Sequence, residues 1–223
     1  SSCSVLGDVL DAGDNSVVDR SDPKKPKFKQ DSQSIWSTIK DGQAVTKGGA
    51  GAEITDYTET LLLTDSITSN PASTNERGKI LSTEAGYFIT SANWTDANKD
   101  AVRRKVCKGT ASRFTNLNTA DGKDCEKRML WMLGKKHTTD AANDVTNSQR
   151  WSVGDVLHSS PVVITYGGDG AGNFIDRVVY GTNAGYLHMV NGLTGIEDWR
   201  YMPSDFWSAQ RQLFDNRQDK HMY

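Results

Sequence analysis

Apolar and polar positions alternate most clearly over residues 151–201, and the pattern there predicts four strands. Val162, Val163 and Ile164 follow Pro161, and proline is accepted at the start of a strand but not in its middle. Arg177 to Gly181 is a second β-rich run. Gly185 to Val190 is a third, with Tyr186, His188 and Val190 on one face and Leu187 and Met189 on the other. Thr182-Asn183-Ala184-Gly185 reads as a hairpin turn whose Asn and Gly tolerate positive φ. Asn191 to Gly195 turns the chain again, and Glu197 to Tyr201 can pair back as a fourth strand. Four short antiparallel strands joined by Gly turns predict a β-propeller blade.

The rest of the chain is patterned less regularly. Residues 1–20 read as a weak hairpin and residues 22–26 as a loop. The glycines of 48–51 lack a following GK(S/T) and a close preceding strand, so a turn or helix start is expected there rather than a phosphate cradle. Asp96 caps a predicted helix over 97–108, with Ala101, Val102 and Val106 along one side. A second helix runs from Cys125 to Leu133 and stops at Gly134, with Met129 and Met132 read as core filler. Residues 137–149 form a polar loop, and a polar helix is expected over about 204–217.

Composition sharpens this picture. Only 36% of the 223 residues are hydrophobic, whereas 20 are Gly, which suits a mainly β protein with many turns and long loops. A net charge of −2 gives no electrostatic footprint for nucleic acid, and the basic clusters at 24–29 and 103–105 read as solvated faces. No apolar run approaches the length of a membrane span. The chain opens on Ser1 without an initiator Met and ends at Tyr223, so a processed product or a piece of a larger protein is expected. Cys107 and Cys125 bracket a polar loop with little else to hold it. A disulfide between them would close about 19 residues, contribute roughly 3 kcal/mol, and point to an oxidising compartment. Cys3 is left over, its partner expected elsewhere.

Two resemblances follow. Thr194-Gly195 with Trp199 four residues on resembles the tryptophan-docking motif of quinoprotein-type propellers, in which the Trp packs between neighbouring blades. Asn191 stands where that motif carries Asp, and Met189 where a small residue is usual, so the likeness implies a blade but no quinone site. The second is wider. Ser34, Trp36 and Ser37, then Asp41, Gly42 and Val45, then Gly48, Gly49 and Ala50, then Gly154 to Val163 resemble the C-terminal propeller domain of the PilY/PilC family of type IV pilus tip proteins. The likeness runs from about residue 5 to the end and covers the opening part of that domain. It implies an incomplete propeller and a helix before the next blade; on the residue pattern itself, the two disulfide-linked helices form a helical insertion over about 95–134 on the edge of a blade at 151–201. The remainder of the chain's own propeller would then be a partner. It also implies a non-enzymatic role at the cell surface after export through the periplasm, in surface attachment, pilus biogenesis and twitching motility. Minor pilins, the pilus tip complex and a host or abiotic surface are the partners implied, with calcium possible in the full-length protein.

Candidate chemistry is sparse. Asp169, Asn173 and Asp176 lie in a Gly-rich loop that lacks the alternating ligands of calcium loops, so it reads as a turn. Asp140, Asn143 and Asp144, with Asn147 nearby, are the better calcium candidate, although their spacing is not that of an EF-type loop and a solvated loop is the simpler reading. His158 is expected to be a structural hydrogen-bonding residue near the propeller's central end, and His188 a packed side chain. No Ser-His-Asp set, paired carboxylates or nucleophile elbow stands out, so no catalysis is expected. Asn93-Trp94-Thr95 matches a glycosylation sequon, which matters only in a secretory eukaryotic protein. The alternatives are a quinoprotein-like propeller enzyme, which needs a pocket built from several blades, and a carbohydrate-binding propeller.

Overall fold

The computed structural model describes residues 9–11, 13–42, 48–54, 60–64, 79–81, 104–107, 119–135, 150–172 and 174–216. Four strands form an antiparallel meander in chain order: β5 (Val162–Gly168), β6 (Phe174–Gly181), β7 (Leu187–Asn191) and β8 (Glu197–Tyr201). These are the four expected from the alternation. The turns close as their residues demand. Thr182 N donates to Tyr186 O at 2.8 Å, with Gly185 at φ 85°, and Gly195 N donates to Asn191 O at 2.8 Å, with Gly195 at φ 75°.

The sheet does not stop at the meander. β3 (Leu62–Leu63) lies parallel to β8 and β4 (Lys79–Leu81) antiparallel to β3, giving a mixed, open sheet of six strands in the order β4-β3-β8-β7-β6-β5. The wholly antiparallel arrangement expected from the sequence is therefore corrected at β3. Leu61-Leu62-Leu63 is too short to show a period, and its partner lies well over a hundred positions away. Leu62 is fully buried there. A separate short ribbon pairs β1 (Val18–Asp19) with β2 (Lys27–Phe28) around the 22–26 loop. Within the expected N-terminal hairpin, Leu10 bridges Ser16; residues 1–8 lie outside the described residues.

Helix α1 (Ala120–Leu133) begins five residues before the expected start. Thr119 is its N-cap, its side chain accepting from Gly122 N at 3.1 Å, and Asp121 in the first turn suits the positive end of the helix. Its end at Gly134 matches expectation, with Gly134 left-handed at φ 109° and its N–H returning to the last turn. Residues 104–106 are helical, and Cys107 is bonded to Cys125 with Cα atoms 5.1 Å apart. The rest of the predicted 97–108 helix lies outside the described residues, as does the sequon. After a 3₁₀ turn (Ser204–Phe206), helix α2 (Trp207–Asn216) follows where a polar helix was expected.

The core gathers at one part of the sheet. Met129, Met132 and Leu133 of α1, Trp207 and Phe214 of α2, and Leu62, Tyr186 and Met202 form one buried cluster with the disulfide. The insertion thus covers the ends of β7 and β8, while β3 occupies the meander's edge. Arg128 ties the two helices, pairing with Asp124 at 2.6 Å and Asp215 at 2.7 Å, its guanidinium 4.5 Å from the Phe214 ring centre. No helix among the described residues is long and apolar enough to cross a membrane.

Because the Cys107–Cys125 bridge joins the 104–107 segment to α1, its reduction should lower stability by about 3 kcal/mol. Urea unfolding with and without reductant, and of Cys107→Ser/Cys125→Ser, measures this; an unchanged midpoint would contradict the assignment.

Candidate functional site

The meander carries a buried polar network built from β7, β8 and the segment before β5. Glu197 Oε1 is 2.6 Å from His188 Nδ1, and Arg200 donates to Glu197 Oε2 from Nε at 3.0 Å and from a terminal nitrogen at 2.7 Å. The other terminal nitrogen of Arg200 donates to Ser152 Oγ at 3.1 Å. Tyr180 stacks on His188 with ring centres 5.1 Å apart, and Tyr186 lies 5.7 Å from it on another side. The Tyr186 hydroxyl reaches Met132 O at 3.0 Å, linking the network to α1.

Strict alternation would place Glu197 and Arg200 on opposite faces of β8, yet both are buried. The β7–β8 register shifts between Met189 and Val190, and such an irregularity re-aims side chains along a strand. The sequence reading placed His188 correctly as a packed residue facing with Tyr186, but Glu197, Arg200 and Ser152 gave no separate signal.

Charge in this network is fixed by its surroundings. Burial pulls the His188 pKa below its usual 6.5, outweighing the hydrogen bond to Glu197 that favours the proton. His188 is therefore neutral, with Nδ1–H donating to Glu197. Burial works to raise the Glu197 carboxyl, but Arg200 beside it and the bonds from His188 and Arg200 hold it below its usual 4.5. Burial also raises the pKa of the Tyr180 hydroxyl, which, like His188 Nε2, has no hydrogen-bond partner among the described residues. Arg150, over the Trp131 ring at 4.0 Å, is brought down by burial to about 10 and stays charged at neutral pH. His188, Glu197 and Arg200 are sealed from solvent, and Ser152 bonds Arg200 rather than His188. The arrangement fastens strands and offers no nucleophile to a substrate.

At the sheet end holding the β7–β8 turn, the tryptophan that docks is Trp36. Gly195 lies under its ring so closely that an added Cβ would come within 2.6 Å of it, and Trp36 Nε1 donates to Gly192 O at 3.0 Å. Asn191 Oδ1 accepts from Leu193 N at 2.9 Å and Thr194 N at 3.2 Å, so Asn serves the turn where the motif usually has Asp. Thr194 is exposed and its Oγ1 accepts from Ile196 N at 3.3 Å. Trp199 is half-buried on β8, and among the described residues no neighbouring blade packs on it.

The other described residues of the wider resemblance fall in two places, and Val45 lies outside the described residues. Asp41 binds Ser34 twice, at its N–H (2.7 Å) and its hydroxyl (2.6 Å), and Gly49 N donates to Ser34 Oγ at 3.0 Å. Gly48 lies directly against the Asp41 carboxylate, leaving no room for a side chain. Asn183 N donates to Asp155 O at 2.8 Å, so the segment before β5 runs along the β6–β7 turn.

His158 departs from expectation. Its side chain is exposed and makes no hydrogen bond among the described residues, while the neighbouring Ser159 accepts from Gly181 N at 2.8 Å. It lies instead at the rim of a cavity formed by the β6–β7 turn and the residues after β8. Asp169 accepts from Ala171 N at 2.7 Å as a turn residue, and Asp176 accepts from Thr165 Oγ1 at 2.6 Å. Asp140, Asn143 and Asp144, the calcium candidate, lie outside the described residues, as does Asn173. Among the described residues no group of His, Cys, Asp and Glu is placed to hold a metal ion.

No family model, no curated protein and no solved structure matches the chain.

Both ionisable groups of the network bind protons less readily folded than unfolded, so stability must fall on acidification. The loss begins as pH drops through about 6.5, where unfolded His188 takes up a proton that the folded chain refuses, and deepens below about 4.5 as Glu197 resists protonation in the fold. The urea midpoint should be flat above pH 7, and His188→Gln should remove the upper limb of the decline; a midpoint rising between pH 7 and 5 would contradict a neutral His188. Glu197→Gln leaves Arg200 buried and uncompensated, an expected loss of about 3–5 kcal/mol by the same measurement.

Proposed function

We propose that the chain is the opening part of a β-propeller domain of a PilY/PilC-type pilus tip protein, acting in surface attachment, pilus biogenesis and twitching motility. The observation that carries this reading is the state of β5. Val162, Val163 and Tyr166 are 55%, 62% and 60% exposed, and Phe174 at the start of β6 is 75% exposed. Val162 and Val163 point to opposite faces, so among the described residues nothing covers either face of β5. A strand of this apolar content bare on both sides is what a propeller blade presents before its neighbouring blades pack on it.

Trp36 packs on the β7–β8 turn, Gly154 and Asp155 lie along the β6–β7 turn, and Asp41 and Gly48 tie down the Ser34 loop that carries Trp36, which adds support because the resemblance rests on those residues. On this reading a rigid sheet presents loops whose lengths can vary to suit a partner. Minor pilins and a host or abiotic surface are the partners proposed.

Deletion of the encoding gene, with complementation, tests the proposal. Surface pili, twitching and attachment should fall together and return together. Normal piliation and twitching in the deletion strain would overturn it.

A further inference from the structure

At the sheet end where β5 begins, β6 turns into β7 and β8 finishes, the chain forms an open cavity of about 460 Å³, a size suited to a small ligand. Its apolar lining is formed by Tyr201, Pro203 and Phe206, with Leu187 beside Tyr201 as its cross-strand partner. Phe206 and Leu187 are 48% and 36% exposed, so their apolar surface is open to a ligand. At the rim stand Asn183 and His158, whose side chains make no hydrogen bond among the described residues. Ser159 Oγ accepts from Gly181 N and keeps its own O–H free to donate.

The walls are held in place from behind. Gln210 of α2 donates to Ala184 O at 2.6 Å, and Gly185 packs against Phe206, so the hairpin tip and the 3₁₀ turn keep a fixed separation. Such support lowers the ordering cost of binding.

The chemistry of the lining selects a class of ligand. Among the described residues it carries no Asp, Glu, Lys or Arg, so a charged ligand would leave water for an apolar wall with no counter-charge. A wholly apolar ligand would in turn strip water from Asn183, His158 and Ser159 and give them no partner. A ligand that satisfies both has an apolar C–H face for Tyr201 and Phe206, and neutral hydroxyls for an amide, an imidazole and a hydroxyl. We propose that this cavity binds a neutral saccharide unit. The inference goes beyond the pilus reading and stands on the lining alone.

The test is saturation-transfer NMR and titration of the full 223-residue chain with the methyl glycosides of glucose, galactose, mannose and N-acetylglucosamine. Sialic acid and a proline-rich peptide serve as comparators. At least one neutral glycoside should bind through its C–H face, and Phe206→Ala and Asn183→Ala should each weaken it roughly tenfold or more with an unchanged urea midpoint. Ser159→Ala is expected to perturb the fold through Gly181, and serves only to mark what a structural loss looks like. Three results would overturn the inference: no glycoside binding at about 10 mM, preference for sialic acid or the peptide, or glycoside binding indifferent to both variants. Each leaves the pilus proposal to be judged separately by the gene deletion.

Discussion

A β-sheet with apolar residues on both faces needs cover on both, and this sheet has its cover concentrated on one side of its width. Over the ends of β7 and β8 lie α1, α2 and the disulfide, and Leu62 of β3 closes that edge with 0% exposure. Toward β6 and β5 the cover runs out, and β5 is exposed along its whole length. The described structure follows from that gradient: tight packing and buried charge where cover exists, and a bare two-faced strand where it does not.

The buried charges fit the covered side because they act together. An isolated Arg200 or Glu197 in the interior would be costly, and the pair becomes tolerable through two direct hydrogen bonds, His188 on the carboxylate and Ser152 on the guanidinium. The network also holds a particular β7–β8 register, since slipping one residue would turn His188 away from Glu197. At one end of the meander Trp36 seals the Asn191–Gly195 turn, and at the other Asp155 and Gln210 hold the 182–185 turn. Both turns are fixed by residues distant in sequence, which leaves the cavity between the β6–β7 turn and Phe206 with firm walls.

How far the sequence led depended on whether a feature was local. The four strands of the meander, the turns at 182–185 and 191–195, the Gly134 helix stop and the Cys107–Cys125 pair all rest on short-range chemistry, and each was expected. What escaped was long-range or irregular. The parallel docking of Leu62–Leu63 on β8 has no period to announce it. The Thr119 cap lay ahead of the apolar run used to place the helix. Glu197 and Arg200 share the interior because of a register shift that alternation cannot foresee. Trp36 and Gly195 were each singled out, but nothing in their separate motifs said that one would cover the other. His158, expected to be a structural hydrogen-bonding residue, is exposed, and its neighbour Ser159 makes such a bond.

The central claim is that β5 meets a covering surface in the native protein. Hydrogen exchange of residues 162–168 tests it most directly, comparing the isolated 223-residue chain with the protein as it occurs on the cell. The account predicts fast exchange in the isolated chain, from an edge strand bare on both faces, and marked protection in the native protein. Equally fast exchange in both would contradict it, leaving β5 a true outer edge and the propeller reading without its support.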